Sequence, residues 1–543
     1  MDARKLLPSS PAGRWAAGIG ASVAALALLR WASRLPEPEP GTPAPAFDDP
    51  GATALGKGIA PHLAEHPDLS GLHLLSDPLD AFAARMLLVR RAERSLDLQY
   101  YIWHGDRTGT LLLEAIHQAA GRGVQVRLLL DDNGIAGLDP VLAGLDEHPN
   151  IEVRLFNPFR IRFPKSIGYV ADFQRLNRRM HNKSFVADGA VTIVGGRNIG
   201  DEYFGAGDAG LFADLDVMAV GPVVRDVSAG FDVYWRSASA CRASRLLPKL
   251  TRRERQRRRL AHRASVVERD ASARRYVERV KELPLVEQLV AGTLSLEWAK
   301  VRMLSDDPAK AQGLAEPSGL LAGKLEQAIG TPQREIGVIA GYFVPGDRGT
   351  QMLSDLARRG VAVSVLTNAY ATNDVAVVHA GYAPYRPALL AAGVRLFELC
   401  AEASGPSARE RRRGSRLGVG SKLRGSGTGS VAALRSGAST LHAKTFTVDR
   451  ERLFIGSFNF DPRSIDLNTE LGFLIESPTL ASGVADAFDT VIPEHSYRVA
   501  RDADGTLCWH APGGKAQVRE PGMSPLDHLL VRVAAALPIQ WLL

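Results

Sequence analysis

Cysteine is scarce in this chain. Its three residues, Cys241, Cys400 and Cys508, are widely spaced and odd in number, which excludes both a disulfide framework and a cysteine-ligated zinc site. Also missing is any Asp/Glu/His cluster at metal-ligand spacing beside the histidines discussed below, so no metal and no cofactor is expected. Long apolar runs are absent too. The run 15–29 follows Arg4, Lys5 and Arg14 and ends at Arg30, short of the roughly 20 residues that cross a bilayer. No small-x-small cleavage site follows closely, because Ala44-Pro45-Ala46 lies far downstream and contains proline. The run reads as an uncleaved anchor or interfacial helix, with a cleaved signal or an ordinary helix as alternatives. There is no acidic excess: the formal charge is +7, which favours anionic partners and leaves phospholipid surfaces and nucleic acids both open.

What the chain does contain is a repeat. His181-Asn182-Lys183 is followed by Asp188 and then Gly195-Gly196-Arg197-Asn198; far downstream, His442-Ala443-Lys444 is followed by Asp449 and Gly456-Ser457-Phe458-Asn459 on identical spacing. Apolar alternation around each copy predicts two short strands joined by a turn. Residues two apart on a strand share a face, so each His points with its Lys. A neutral imidazole attacks or accepts a proton, and an ammonium beside it holds an anionic oxygen. Gly196 and Ser457 are expected to let a phosphate approach the backbone, with Asn198 and Asn459 adding amide donors. Each copy supplies half of a phosphoryl-transfer site.

The wider organisation repeats as well. The first half reads as helix 78–93, strand 95–102, helix 108–120 and strand 124–130; the second as helix 320–329, strand 336–343, helix 350–358 and strand 361–366. Alternating helices and strands imply a layered α/β fold of two α-β-α halves. The offset is 237 from Gly123 to Gly360 and 261 from His181 to His442, so 24 extra residues fall between these landmarks in the second copy. They fit the Gly/Ser-rich, strongly basic loop 405–439. The expected divisions are 1–50 (anchor or signal and Pro-rich linker), 51–245 (first half), 246–319 (charged helical connector), 320–510 (second half) and 511–543 (a tail docking on the core). The segment 156–179 interleaves Phe159, Phe163, Tyr169 and Phe173 with arginines and a lysine. That pattern suits a lipid interface or stacking on single-stranded nucleic acid.

The doubled motif resembles the twin HKD motifs of the phospholipase D superfamily. The segments Gln99-Tyr100-Tyr101-Ile102-Trp103, Gly200-Asp201-Glu202-Tyr203-Phe204, Asp461-Pro462-Arg463-Ser464 and Leu537-Pro538-Ile539-Gln540-Trp541 are similar to the bacterial cardiolipin synthase branch. The resemblance implies one active site shared by two pseudo-symmetric halves. It further implies that His181 attacks phosphorus to give a phosphohistidine, while His442 protonates the departing alcohol and deprotonates the acceptor. Lys183 and Lys444 hold the phosphate, and Asp188 and Asp449 brace the turn and the lysines. Transfer of a phosphatidyl group to phosphatidylglycerol is the implied reaction, at a membrane expected to be the bacterial inner membrane. Anionic phospholipids are then the partners, and neither nucleic acid nor an obligate protein partner is expected. A hydrolase releasing phosphatidic acid and a nuclease are the alternatives.

A nucleophilic imidazole needs its far nitrogen oriented by a carboxylate or carbonyl. Alignment of 470–478 with 214–222 makes Asp214 and Glu470 the equivalent candidates. Tyr100, Tyr101 and Trp103 are expected to fill buried faces of their strand, and His104 and His379, which stand in no repeated setting, to be structural or exposed.

Overall fold

The computed structural model describes residues 11–36, 47–205, 212–249, 264–267, 274–373, 376–400, 440–514 and 516–536. The basic loop 405–439, the arginine-rich run 252–259, most of the Pro-rich linker and the last seven residues lie outside the described residues.

In the first half the strands are β1 (Ser70–Leu75), β2 (Ser95–Ile102), β3 (Gln125–Gly134), β4 (Ile151–Phe156), β5 (Ser184–Ala187), β6 (Val191–Gly195), β7 (Phe212–Ala213), β8 (Asp216–Val220) and β9 (Ala240–Arg242). The connector supplies β10 (Glu297–Ser305). The second half adds β11 (Glu335–Ala340), β12 (Ala362–Asn368), β13 (Arg395–Leu399), β14 (Thr440–Leu441), β15 (Lys444–Val448), β16 (Arg452–Gly456), β17 (Leu471–Glu476) and β18 (Ser496–Arg501).

Their pairing shows the duplication directly. In the first half the spatial order is β4-β3-β2-β5-β6-β8-β1, with β2, β3 and β4 parallel and the rest antiparallel. In the second it is β13-β12-β11-β15-β16-β17-β10 with the same senses. β1 and β10 pair antiparallel, with Ser70 opposite Ala299, and so join the halves into one sheet. The connector is therefore not only a charged helical linker: its last strand is the counterpart of β1. Because both faces of the sheet are packed, by helices and, where β6 and β8 meet β16 and β17, by the other half, its strands read as near-continuous apolar runs. Leu96, Leu98, Leu128, Leu130, Val153 and Leu155 pack into the first core, and Val338, Val363, Val365 and Leu396 into the second.

Observed element ends fall close to the sequence expectation, with helices Pro78–Arg91, Arg107–Gly121, Leu321–Ile329 and Gly346–Arg358. Asp77 and Asp106 cap the first two, each accepting from backbone N–H groups of the first turn. Helix α1 (Pro11–Ala32) meets the body near its C-terminal end, where Arg30 Nε donates to Ala171 O at 3.4 Å. Among the described residues no helix is long and apolar enough to cross a membrane. The tail helix Pro525–Ala536 packs against helix Ala376–Tyr382 but leaves Leu526, Leu529, Leu530 and Val533 exposed, so its docking on the core is partial.

Candidate active site

Each motif folds as its alternation dictates: β5 and β6 form one hairpin, β15 and β16 the other. The turns put Asp188 and Asp449 at positive φ, 53° and 55°, a region that Asp tolerates better than most residues. Asp188 accepts from the N–H groups of Glu93, Arg94 and Ser95, where the chain enters β2. Asp449 does the same for Gln333, Arg334 and Glu335 at the entry to β11. Burial pushes the Asp449 carboxyl up, but these donors outweigh it and hold it below its ordinary value. The motif acids thus brace the neighbouring parallel strand. Each lies five residues along the chain from its motif lysine, Lys183 or Lys444.

His181 and His442 face each other with ring centroids 6.3 Å apart and ring planes at 83°. Both are buried, as are Lys183 and Lys444. Lys183 Nζ donates to His181 O at 2.5 Å and Lys444 Nζ to His442 O at 2.6 Å, and both ammonium groups lie near enough to act on both rings. Burial, then Lys183 and Lys444, hold the His181 pKa well below its ordinary value; burial, Lys444, Lys183 and His181 do the same for His442. Both imidazoles are therefore neutral near neutral pH, as a nucleophile requires. His442 Nε2 is buried without a partner. Burial also pulls Lys183 well down, and a phosphate placed between the rings would supply the counter-charge.

The carboxylates are crossed. His181 Nδ1 lies 2.8 Å from Glu470 Oε2, in the other half, and His442 Nδ1 lies 3.4 Å from Asp214 Oδ2. Backbone pairing across the interface sets this up. Met180 bridges Thr469, the residue before Glu470, and β14 pairs parallel with β7, placing Leu441 opposite Ala213, the residue before Asp214. Each half thus carries a nucleophile-type His and orients the other half's. The two sites are not equal. Glu470 also accepts from Ser457 Oγ at 2.5 Å and Ser464 Oγ at 2.8 Å. Its N–H donates to Asp306, itself paired with Lys310 at 2.9 Å. Asp214 has fewer donors; burial, then Asp216, pushes its pKa up to about 6.

Several expected phosphate contacts are spent elsewhere. A Cβ on Gly196 would meet Asp214 Oδ1 at 2.1 Å, so glycine there makes room for the orienting carboxylate. Ser457 bonds Glu470 and accepts from Leu471 N at 3.0 Å. Asn198 is locked, accepting from Ile102 N and donating to Tyr203 Oη, both at 3.1 Å. The Asn459 Oδ1 is buried with no partner; as an acceptor it suits a substrate hydroxyl and not a phosphate oxygen.

Tyr101 corrects the expectation that its whole segment is core. Tyr100 and Trp103 are fully buried, but Tyr101 lies edge-on to His181 at 5.0 Å and under Lys183 at 5.6 Å. Tyr342 takes the same position at His442, 6.0 Å away. The repeat carried this signal: 342 − 101 = 241, the offset that relates Gly105 to Gly346. Sequence reasoning also missed Arg463, which crosses the halves to donate to Asn177 Oδ1 at 2.9 Å and adds to the positive charge felt by His181. His104, Asp106 and Glu202 do come together outside this centre, their donor atoms within 4.8 Å of one another. Asp106 caps a helix and accepts from Asp201 N, while His104 faces Glu202 at 3.1 Å. His379 is buried against Glu520 at 2.6 Å.

The twofold sheet and the facing His-Lys pairs define a phosphoryl-transfer centre of phospholipase D type. The chain belongs to the cardiolipin synthase, PLD-like domain family, whose pattern matches residues 87–214 and 325–492. It is 47% identical over 496 residues to cardiolipin synthase C of Escherichia coli (strain K12), covering 90% of this chain and 99% of that protein. It is 30% identical over 446 residues to an uncharacterized protein of Helicobacter pylori (strain J99), covering 81% and 83%. A phosphatidylserine synthase from Haemophilus influenzae Rd KW20 shares the fold, with a TM-score of 0.53 at 13% identity over 88% of this chain and 97% of that one. The chain is a phosphatidyltransferase of phospholipase D type.

Proposed function

We propose that the enzyme moves a phosphatidyl group onto the free glycerol hydroxyl of phosphatidylglycerol, giving cardiolipin. The observation that carries this reading is the facing pair of buried, neutral imidazoles, each with a carboxylate behind it and a lysine beside it. His442 takes up a proton once the substrate phosphate offsets the charge of Lys183 and Lys444; His181 Nε2, still neutral, attacks phosphorus, the alcohol leaves with the His442 proton, and a phosphohistidine remains. His442 Nε2 then takes the acceptor hydroxyl's proton as its oxygen attacks phosphorus and releases His181. Lys183 and Lys444 hold the equatorial oxygens through both steps. The choice of acceptor rests on the names of the relatives and the basic charge of the chain. Work at a membrane surface, the bacterial inner membrane, belongs to the same reading.

The test is purified protein with labelled phosphatidylglycerol in vesicles. Cardiolipin is the expected main product and phosphatidic acid the minor one. Predominant phosphatidic acid at high acceptor density would make the enzyme a hydrolase. Efficient cleavage of single-stranded nucleic acid with every phospholipid left intact would make it a nuclease.

A further inference from the structure

A cavity outside the catalytic cleft joins two elements that the chemistry leaves unused. It has a volume of about 510 Å³ and sits between the end of α1 and the helix Ser166–Leu176, lined by Arg30, Ser33, Arg34, Val170 and Phe173. Its charge is positive and largely uncompensated. Among the described residues neither Arg30 nor Arg34 has a carboxylate partner; Arg30 Nε reaches only Ala171 O at 3.4 Å. The one acid in the wall, Asp172, is taken by Arg175 at 2.5 Å. Ser33 is only 6% exposed, yet its Oγ has no hydrogen-bond partner. A buried hydroxyl without a partner costs free energy, and a rotation toward the basic cavity that Ser33 lines would let it donate to an anionic oxygen there.

The flanks are apolar and uncovered. Trp15, Ile19, Val23, Leu28 and Trp31 are exposed along α1. On the other side Val170 is 69% exposed, Ile167 and Phe173 are exposed beside it, and Phe163, just before the helix, is 92% exposed. Contiguous exposed apolar surface rimmed by charge marks an interaction site. Here it brackets a basic pocket from two sides. A free phosphate would satisfy Arg30, Arg34 and Ser33 but leave both flanks in water. A diacyl phospholipid satisfies all three features, because its phosphodiester and its acyl chains are joined in one molecule at the geometry of a bilayer surface.

We propose that the junction of α1 with helix Ser166–Leu176 is an anionic phospholipid site distinct from the catalytic cleft. The headgroup phosphate sits on Arg30, Arg34 and Ser33, and α1 and residues 163–173 enter the acyl layer of the same bilayer. The same segment of chain runs through Arg178 and Arg179 into His181, so occupancy fixes how the cleft meets the membrane. The inference deepens the lipid reading above by naming where the bilayer is held.

The experiment is co-sedimentation of the full chain with phosphatidylcholine vesicles with and without phosphatidylglycerol. Two basic residues at a charged surface are worth about thirtyfold in affinity, so R30Q/R34Q should lose about that on phosphatidylglycerol vesicles. R90Q/R91Q, which removes the same charge from exposed positions of helix Pro78–Arg91, should lose no more than about twofold. S33A should lose about fivefold. A polarity-sensitive dye on V170C should shift to the blue on phosphatidylglycerol vesicles. Equal losses in the two arginine pairs, an unmoved dye, or full competition by glycerol phosphate would overturn the site. Should R30Q/R34Q fail to fold, as judged by thermal unfolding, S33A and the V170C dye decide alone. No arm measures product, so a protein that binds here yet makes no cardiolipin sinks the proposed reaction and leaves the site standing; one that makes cardiolipin without these responses does the reverse.

Discussion

Replacing Glu470 by Gln keeps the shape of the side chain and removes its charge, which makes it the sharpest probe of the crossed carboxylates. Glu470 Oε2 lies 2.8 Å from His181 Nδ1 and also accepts from Ser457, while Oε1 accepts from Ser464. A hydrogen bond to a charged group contributes about 1–2 kcal/mol more than a neutral one. Gln would also present an NH₂ to a donor on one side, losing roughly 1 kcal/mol more. Together these predict a fall in kcat of about 30- to 150-fold for E470Q, at about 1.4 kcal/mol per decade. D214N should cost less than about tenfold, since the His442–Asp214 contact is 3.4 Å and carries less. Steady-state turnover on phosphatidylglycerol gives the two numbers. Imidazole nitrogen NMR then tests the crossing itself: E470Q should perturb the His181 ring and D214N the His442 ring. An effect of D214N larger than that of E470Q, or E470Q resonance changes confined to His442, would refute the reasoning.

Other outcomes follow from the same geometry. Asp214 is fully buried with its pKa raised to about 6 against 3.8 unfolded, so its ionisation destabilises the fold as pH rises through that window and fully above it. D214N should therefore gain up to about 3 kcal/mol relative to wild type on going from pH below 4 to pH 8; thermal unfolding at both ends that shows no relative gain would reject it. The depressed histidines act in the opposite direction, favouring the neutral fold, so their share of stability is lost as pH falls below 6.5, a loss that H442A should reduce. H442A given a substrate with a good leaving group should accumulate an acid-labile phosphoenzyme on His181, and trapping on His442 in H181A instead would reverse the assignment. D188A leaves the N–H groups of Glu93, Arg94 and Ser95 without their acceptor and should lose about 3 kcal/mol in urea unfolding; a loss under about 1 kcal/mol would mean these bonds do not hold β2.

The duplication, the two His-Lys pairs, the boundaries of the paired helices and strands and the candidacy of Asp214 and Glu470 were all legible in the sequence. These are local properties: alternation along a strand, and spacing within a motif of under twenty residues. What the tertiary structure decided is which copy serves which. The contacts His181–Glu470 and His442–Asp214 join residues 289 and 228 positions apart, and no periodicity reports a pairing across an interface. For the same reason the sequence could not show that Asn198 is consumed by Ile102 and Tyr203, or that Gly196 yields its space to a carboxylate and not to phosphate. Nor could it show that the connector's Asp306 supports Glu470. Tyr101 marks the boundary between the two kinds of knowledge. Its register with Tyr342 was present in the chain, but a strand buried on both faces has the same apolar pattern whether a ring meets the core or a catalytic imidazole, and only the folded halves separate the two.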